Sequence, residues 1–192
     1  MRFTRPDGRP AVEGGDWQAR PFWKRMASAF PAPDVGRVLS WWFPSYDAEP
    51  APPPLPAWAS HDRVLGVLRA DWTPRGDFLA FDQRQEGIGA RFELFGAGVP
   101  WLGPLWSTPS ASGSQATPEA ATPTAWVTNS SADVAEWTFR AGGRRITRLA
   151  LMLRGRRLAF LGDQVDDVAS DETWESRIDV REGLSVDPLA DG

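Results

Sequence analysis

Hydrophobic and polar positions along the chain change period near residue 57. Before it, Trp17, Phe22, Trp23, Met26, Ala27 and Phe30 recur at near-helical spacing, with Asp16 placed to cap and Pro21 limiting how far back a helix can begin. A second short helix fits 34–43, where Asp34 caps and Val35, Val38, Leu39 and Trp42 line one side. Residues 1–16 are polar and rich in Gly and Pro, and read as an irregular tail. The expected organisation is therefore a tail over 1–16, a short helical segment over 17–48, a connector over 49–57 and a β-rich unit over 58–192. The connector rests on five Pro between Glu49 and Pro56, which exclude both a ladder and a helix.

Beyond the connector the period is two. Residues 63–71 and 77–83 flank the turn-rich Trp72-Thr73-Pro74-Arg75-Gly76 and predict an antiparallel hairpin. A third strand at 90–95 leads through Gly-Ala-Gly at 96–98 into Val99-Pro100-Trp101-Leu102. Residues 107–124 have the small, polar composition of a surface loop. Strands resume at 133–140, with Ala135, Trp137 and Phe139 inward, and at 145–154, where Thr147, Leu149, Leu151 and Leu153 are expected on one face. Two further strands are expected at 157–165 and within 176–186. At least six short strands separated by turns predict a mainly β protein, an antiparallel β-sandwich with two short N-terminal helices. The final Asp187-Pro188-Leu189-Ala190-Asp191-Gly192 has the look of a turn into another strand, so a truncated chain with an open sheet edge is expected.

Composition narrows the chemistry. The 192 residues suffice for one domain with an appendage, and eleven Trp with ten Phe supply a real core. A net charge of -4 gives no global attraction to nucleic acid or to an acidic membrane, and no run approaches a membrane span. The N-terminus lacks the apolar stretch of a signal peptide, so the chain as written reads as cytoplasmic. Twenty Arg against the lone Lys24 suggest a GC-rich, bacterial-type genome. Charge is uneven: seven Arg lie between Arg140 and Arg157, whereas residues 163–192 hold ten acidic groups. Complementary charge on neighbouring strands explains this better than a polyanion site.

The absence of Cys removes disulfides and thiolate chemistry, and one His leaves only oxygen donors for a metal. The run Asp163-Gln164-Val165-Asp166-Asp167 lacks the Gly turn and terminal Glu of a calcium loop, so no metal and no cofactor are implied. Gly87-Ile88-Gly89 is not followed by the third Gly of a dinucleotide site.

The segments VLRADW at 67–72, GDFLAFDQ at 76–83 and GARFELFGAG at 89–98, after two short helices and a Pro-rich link, resemble the heparinase II/III-like polysaccharide lyases. The similarity is to the junction where a helical toroid passes into a large β-sandwich, and RRITRLALMLRGRRLAFLGDQVD at 144–166 would correspond to a long hairpin. The family's histidines are missing, since the matching stretch reads Gly87-Ile88-Gly89-Ala90-Arg91-Phe92-Glu93, and no catalytic role transfers.

Eliminative cleavage of a uronate polymer needs a carboxylate neutraliser, a base and an acid. The residues available for such roles are His61, Tyr46, Arg69, Arg91 and Glu93. Trp101, Trp106 and Trp126 flank the 107–124 loop and could stack on sugar rings, although aromatics on sheet faces more often fill cores. The expected function is a non-catalytic sandwich that binds polysaccharide or packs against other domains of a larger protein. The alternatives are an active lyase or hydrolase and a purely structural fragment.

Overall fold

A computed structural model describes residues 57–71, 75–84, 89–97, 99–111, 117–185 and 187. The two expected helices, most of the Pro-rich connector and Tyr46 lie outside the described residues. Twelve strands are described: β1 (Trp58–Ala59), β2 (Leu65–Arg69), β3 (Phe78–Asp82), β4 (Gly89–Gly96), β5 (Val99–Ser107), β6 (Ser110–Ala111), β7 (Thr122–Thr128), β8 (Ala132–Ala141), β9 (Arg144–Leu153), β10 (Leu158–Val165), β11 (Trp174–Glu175) and β12 (Ile178–Val180). The protein is mainly β, and every pairing is antiparallel. One sheet has six strands in the order β1-β2-β3-β4-β5-β12, a second has four in the order β10-β9-β8-β7, and β11 pairs with β6.

The expected hairpins form with the expected partners. Leu65 to Arg69 pair with Asp82 to Phe78, and β3 continues onto β4 with Phe81 opposite Phe92. Ala141 and Arg144 close the β8–β9 hairpin around Gly142 (φ 57°) and Gly143 (φ 79°). Two consecutive left-handed residues make the tight turn that follows the twist of the strands, and glycine adopts them without a Cβ clash. Within the 107–124 stretch, Ser110 and Ala111 pair with Glu175 and Trp174, and β7 already begins at Thr122.

The sheets are joined by a shared core. Leu68, Leu79, Phe81, Phe92 and Trp106 from the six-stranded sheet pack in one buried cluster with Ala135, Trp137, Phe139, Ile146, Ala150 and Met152 from the four-stranded sheet. Ring contacts anchor it: Trp137 meets Phe81 edge-on at 4.5 Å between centroids, and Phe92 lies 5.7 Å from Trp106. Fully burying each such side chain contributes about 1.5–3 kcal/mol. Val67, Phe78, Ala80 and Phe95 form a separate buried cluster. Alternation sends these four residues to the opposite face from Leu68, Leu79 and Phe81, so β2 and β3 are buried on both faces and read as nearly continuous apolar runs.

In β8 the inward residues are Ala135, Trp137 and Phe139, as the alternation predicts, and in β9 the inward set is Ile146, Arg148, Ala150 and Met152. Thr147, Leu149, Leu151 and Leu153 occupy the other face and are half-buried. The pairing of Trp137 with Arg148 fixes this register, and it puts a guanidinium rather than a leucine row against the core.

Candidate functional site

Arg148 enters the core because its charge is fully partnered. Its Nε donates to Asp163 Oδ1 at 2.8 Å and its Nη2 to Asp163 Oδ2 at 3.0 Å, a two-pronged ion pair whose side chains are 0% and 4% exposed. The remaining donors reach across to β5, Nη1 to the Trp106 carbonyl at 3.3 Å and Nη2 to that of Ser107 at 2.6 Å. The guanidinium lies 4.2 Å from the Trp106 ring centroid, and the Trp106 indole N–H donates to Asp163 Oδ2 at 3.0 Å. A second bridge is made by Arg154, which donates to Asp133 Oδ1 at 2.6 Å and to the carbonyls of Arg69 at 3.2 Å and Ala70 at 3.4 Å. Both arginines tie β8, β9 and β10 to the six-stranded sheet with geometry suited to holding structure. The sequence carried a signal for the first: Arg148 interrupts an otherwise apolar alternation with Ile146, Ala150 and Met152.

The candidate catalytic residues are placed as follows. His61 is exposed in the turn between β1 and β2. Beside it Ser60 donates to the Asp62 carboxylate, and that bond holds the Asp62 pKa below its ordinary value. Arg91 is exposed on β4 opposite Asp82, whose carboxylate is taken by Arg84 at 2.6 Å. Glu93 is 1% exposed and accepts from Arg181 at 3.4 Å. Alternation and register put Arg91 and Glu93 on one face of the six-stranded sheet together with Arg69. Arg69 is wholly buried over the Phe78 ring at 4.7 Å, and burial pushes its guanidinium down to about 10, so it remains charged at neutral pH. His61 lies apart from that face, in the turn.

The three tryptophans do not share one surface. Trp106 is 2% exposed and belongs to the core, and Trp126 is half-buried against Phe81 at 6.1 Å. Trp101 is half-buried and lines a cavity of about 30 Å³ with Asp77, Leu94, Met152 and Arg157. Asp77 is held by the backbone N–H of Ala97 at 3.1 Å, which fixes the β4–β5 turn beside that indole. A wider, open depression of about 280 Å³ is lined by Glu119, Thr122, Thr138, Arg140 and Arg145. The basic stretch also meets the acidic one, through Arg148 with Asp163 and through Arg144 with Glu172 at 3.1 Å. Among the described residues no group of three or more His, Cys, Asp or Glu could hold a metal ion, and no helix is long and apolar enough to cross a membrane.

No family model matches the chain, and no curated protein matches it. Solved structures do. Heparan sulfate lyase HepC from Pedobacter heparinus superposes with a TM-score of 0.65 over 85% of this chain at 16% identity, and a mutant of that lyase with a TM-score of 0.63. The chain spans 30% of the length of that lyase. The likeness to a heparinase that the strand segments suggest in sequence is therefore present in three dimensions, and at this identity it is a likeness of fold.

Proposed function

We propose that this chain is a β-sandwich segment of a heparinase-like protein, with a non-catalytic role in contacting saccharide. The sandwich reading is supported by the core that both sheets share and by the two arginine bridges between them. The observation that carries the functional reading is the fold likeness to part of a heparan sulfate lyase, combined with how the charged residues are used. Among the described residues Glu93 is buried against Arg181, Asp82 is held by Arg84, and His61 sits in a separate turn, which supports a structural rather than an acid–base use of these groups.

Trp101 is the indole we assign to sugar contact. It is half-buried at a depression with Asp77 and Arg157 beside it, an aromatic face next to groups that hydrogen-bond hydroxyls. The cavity is too small to enclose a ring, so contact is by stacking at its mouth. Titration of the full chain with neutral and acidic polysaccharides, read by intrinsic Trp fluorescence, tests this. A saturable change that Trp101→Ala removes, with no rise in ultraviolet absorbance from a new double bond, is the expected result. A rise in that absorbance on a uronate polymer would establish a lyase and overturn the non-catalytic reading.

A further inference from the structure

The sheet edges are not equally protected. In the six-stranded sheet the outer strands β1 and β12 are two and three residues long, too short to template much pairing. In the four-stranded sheet β7 carries Pro123 and a register shift between Pro123 and Ala125, both of which spoil an edge. The remaining edge, β10, has eight residues, LAFLGDQV, with no Pro, no Lys and no Arg. Its one charge, Asp163, is turned inward to Arg148. Among the described strands β10 pairs only with β9.

That open edge continues an apolar outer face. Register aligns Val127, Val134, Leu151 and Phe160 in one row across all four strands, with Leu158 and Leu153 in the next. Val127 is 51% exposed, Phe160 53% and Leu158 49%. Charge then specifies what fits beside β10. Arg156 and Arg157 precede the strand, and Asp166 and Asp167 follow it. A strand laid antiparallel with the same sequence would set each positive end against a negative one.

We propose that β10 is a dimerisation edge, at which two copies of this chain pair antiparallel and join their four-stranded sheets into one. A two-fold axis at Leu161 keeps outward residues opposite outward residues. It sets Phe160 opposite Gly162 of the second copy, Leu158 opposite its Gln164 and Arg156 opposite its Asp166. Aromatic cover of a glycine on the neighbouring strand is a favourable cross-strand pair, and the self-complementary contact closes at two copies.

Sedimentation velocity of the full chain over a concentration series tests the proposal. The expected result is a reversible monomer–dimer equilibrium that Phe160→Lys shifts to monomer while the melting temperature of the monomer is kept. Arg156→Glu alone should weaken the dimer about fivefold, and Asp166→Arg in the same chain should restore it, because each reversed pair is remade twice. Restoration distinguishes β10 pairing from loss of folding. A monomer at every concentration would assign the edge to some other partner and overturn the proposal. So would open-ended association, a dimer insensitive to Phe160→Lys, or a charge swap that fails to restore.

Discussion

Trp106 and Asp163, 57 residues apart in sequence, are joined by an indole N–H to carboxylate hydrogen bond of 3.0 Å, and the guanidinium of Arg148 lies over the same indole while gripping the same carboxylate. The three side chains form one unit whose charge is cancelled inside the core. Breaking one member leaves another charge buried without its partner, which costs about 3–5 kcal/mol. Asp163→Ala should therefore lower the urea midpoint strongly. Replacing the pair together, Arg148→Met with Asp163→Leu, should recover most of that loss, since apolar packing at the same volume removes the desolvation cost along with the attraction. Equilibrium urea unfolding of both variants measures the difference.

Gly66 gives a test of the packing between β2 and its neighbours. A Cβ built there would come within 2.6 Å of the Phe81 ring and 2.9 Å of the Trp58 carbonyl oxygen. Gly66→Ala should destabilise by about 1–3 kcal/mol through overpacking. Because the nearest atom is the end of the Phe81 ring, Phe81→Leu in the same chain should cost less than the sum of the two single changes, a coupling that thermal unfolding of the three variants resolves.

The strands were legible in the sequence because alternation is a local property. Residues 65–69, 78–82 and 89–96 fall where the apolar periodicity puts them, and the Gly142-Gly143 turn sits where two glycines interrupt it. Which face of β9 turns inward was not legible, since both of its alternating sets are largely apolar. Pairing with β8 and the carboxylate of Asp163 decide it, and both are non-local. Trp106 illustrates the same limit for function. Its position beside a polar stretch suggests an exposed platform, whereas its indole is consumed by Asp163 and Arg148 from another sheet. The pairing of Ser110 and Ala111 with β11 was likewise invisible locally, because two small residues carry no period.

Ser60 and Asp62 set a small acid-side effect. The Ser60 hydroxyl donates to the Asp62 carboxylate, and this bond is the largest cause of a pKa below the ordinary 3.8. A depressed folded-state value means the contribution to stability is complete above the unfolded value of 3.8 and is lost as pH falls through the folded value. Ser60→Ala should move the Asp62 titration, followed by carboxyl carbon NMR, back up towards 3.8 and flatten the stability profile below that pH. Ser60 also closes the turn by accepting from the Leu65 N–H at 3.1 Å, so Ser60→Thr, which keeps the hydroxyl, is the control that should retain both.

Arg154 distinguishes a positional arginine from a mere positive charge. From the end of β9 it spans Asp133 on β8 and the carbonyls of Arg69 and Ala70 at the end of β2, and Asp133 is 0% exposed. Thr128 also donates to Asp133, so the carboxylate already has one neutral partner before the arginine arrives. A lysine in place of Arg154 keeps the charge yet has a single nitrogen, which cannot reach the carboxylate on one strand and the two carbonyls on the other sheet at once. Arg154→Lys should thus lose the bonds to Arg69 and Ala70 while keeping Asp133 neutralised, costing about 1–3 kcal/mol, whereas Arg154→Met strands the carboxylate and should cost about 3–5 kcal/mol. Chemical denaturation ranks the two. Equal losses would mean that the bridge to the six-stranded sheet contributes nothing, and that Arg154 matters only as the counter-charge of Asp133.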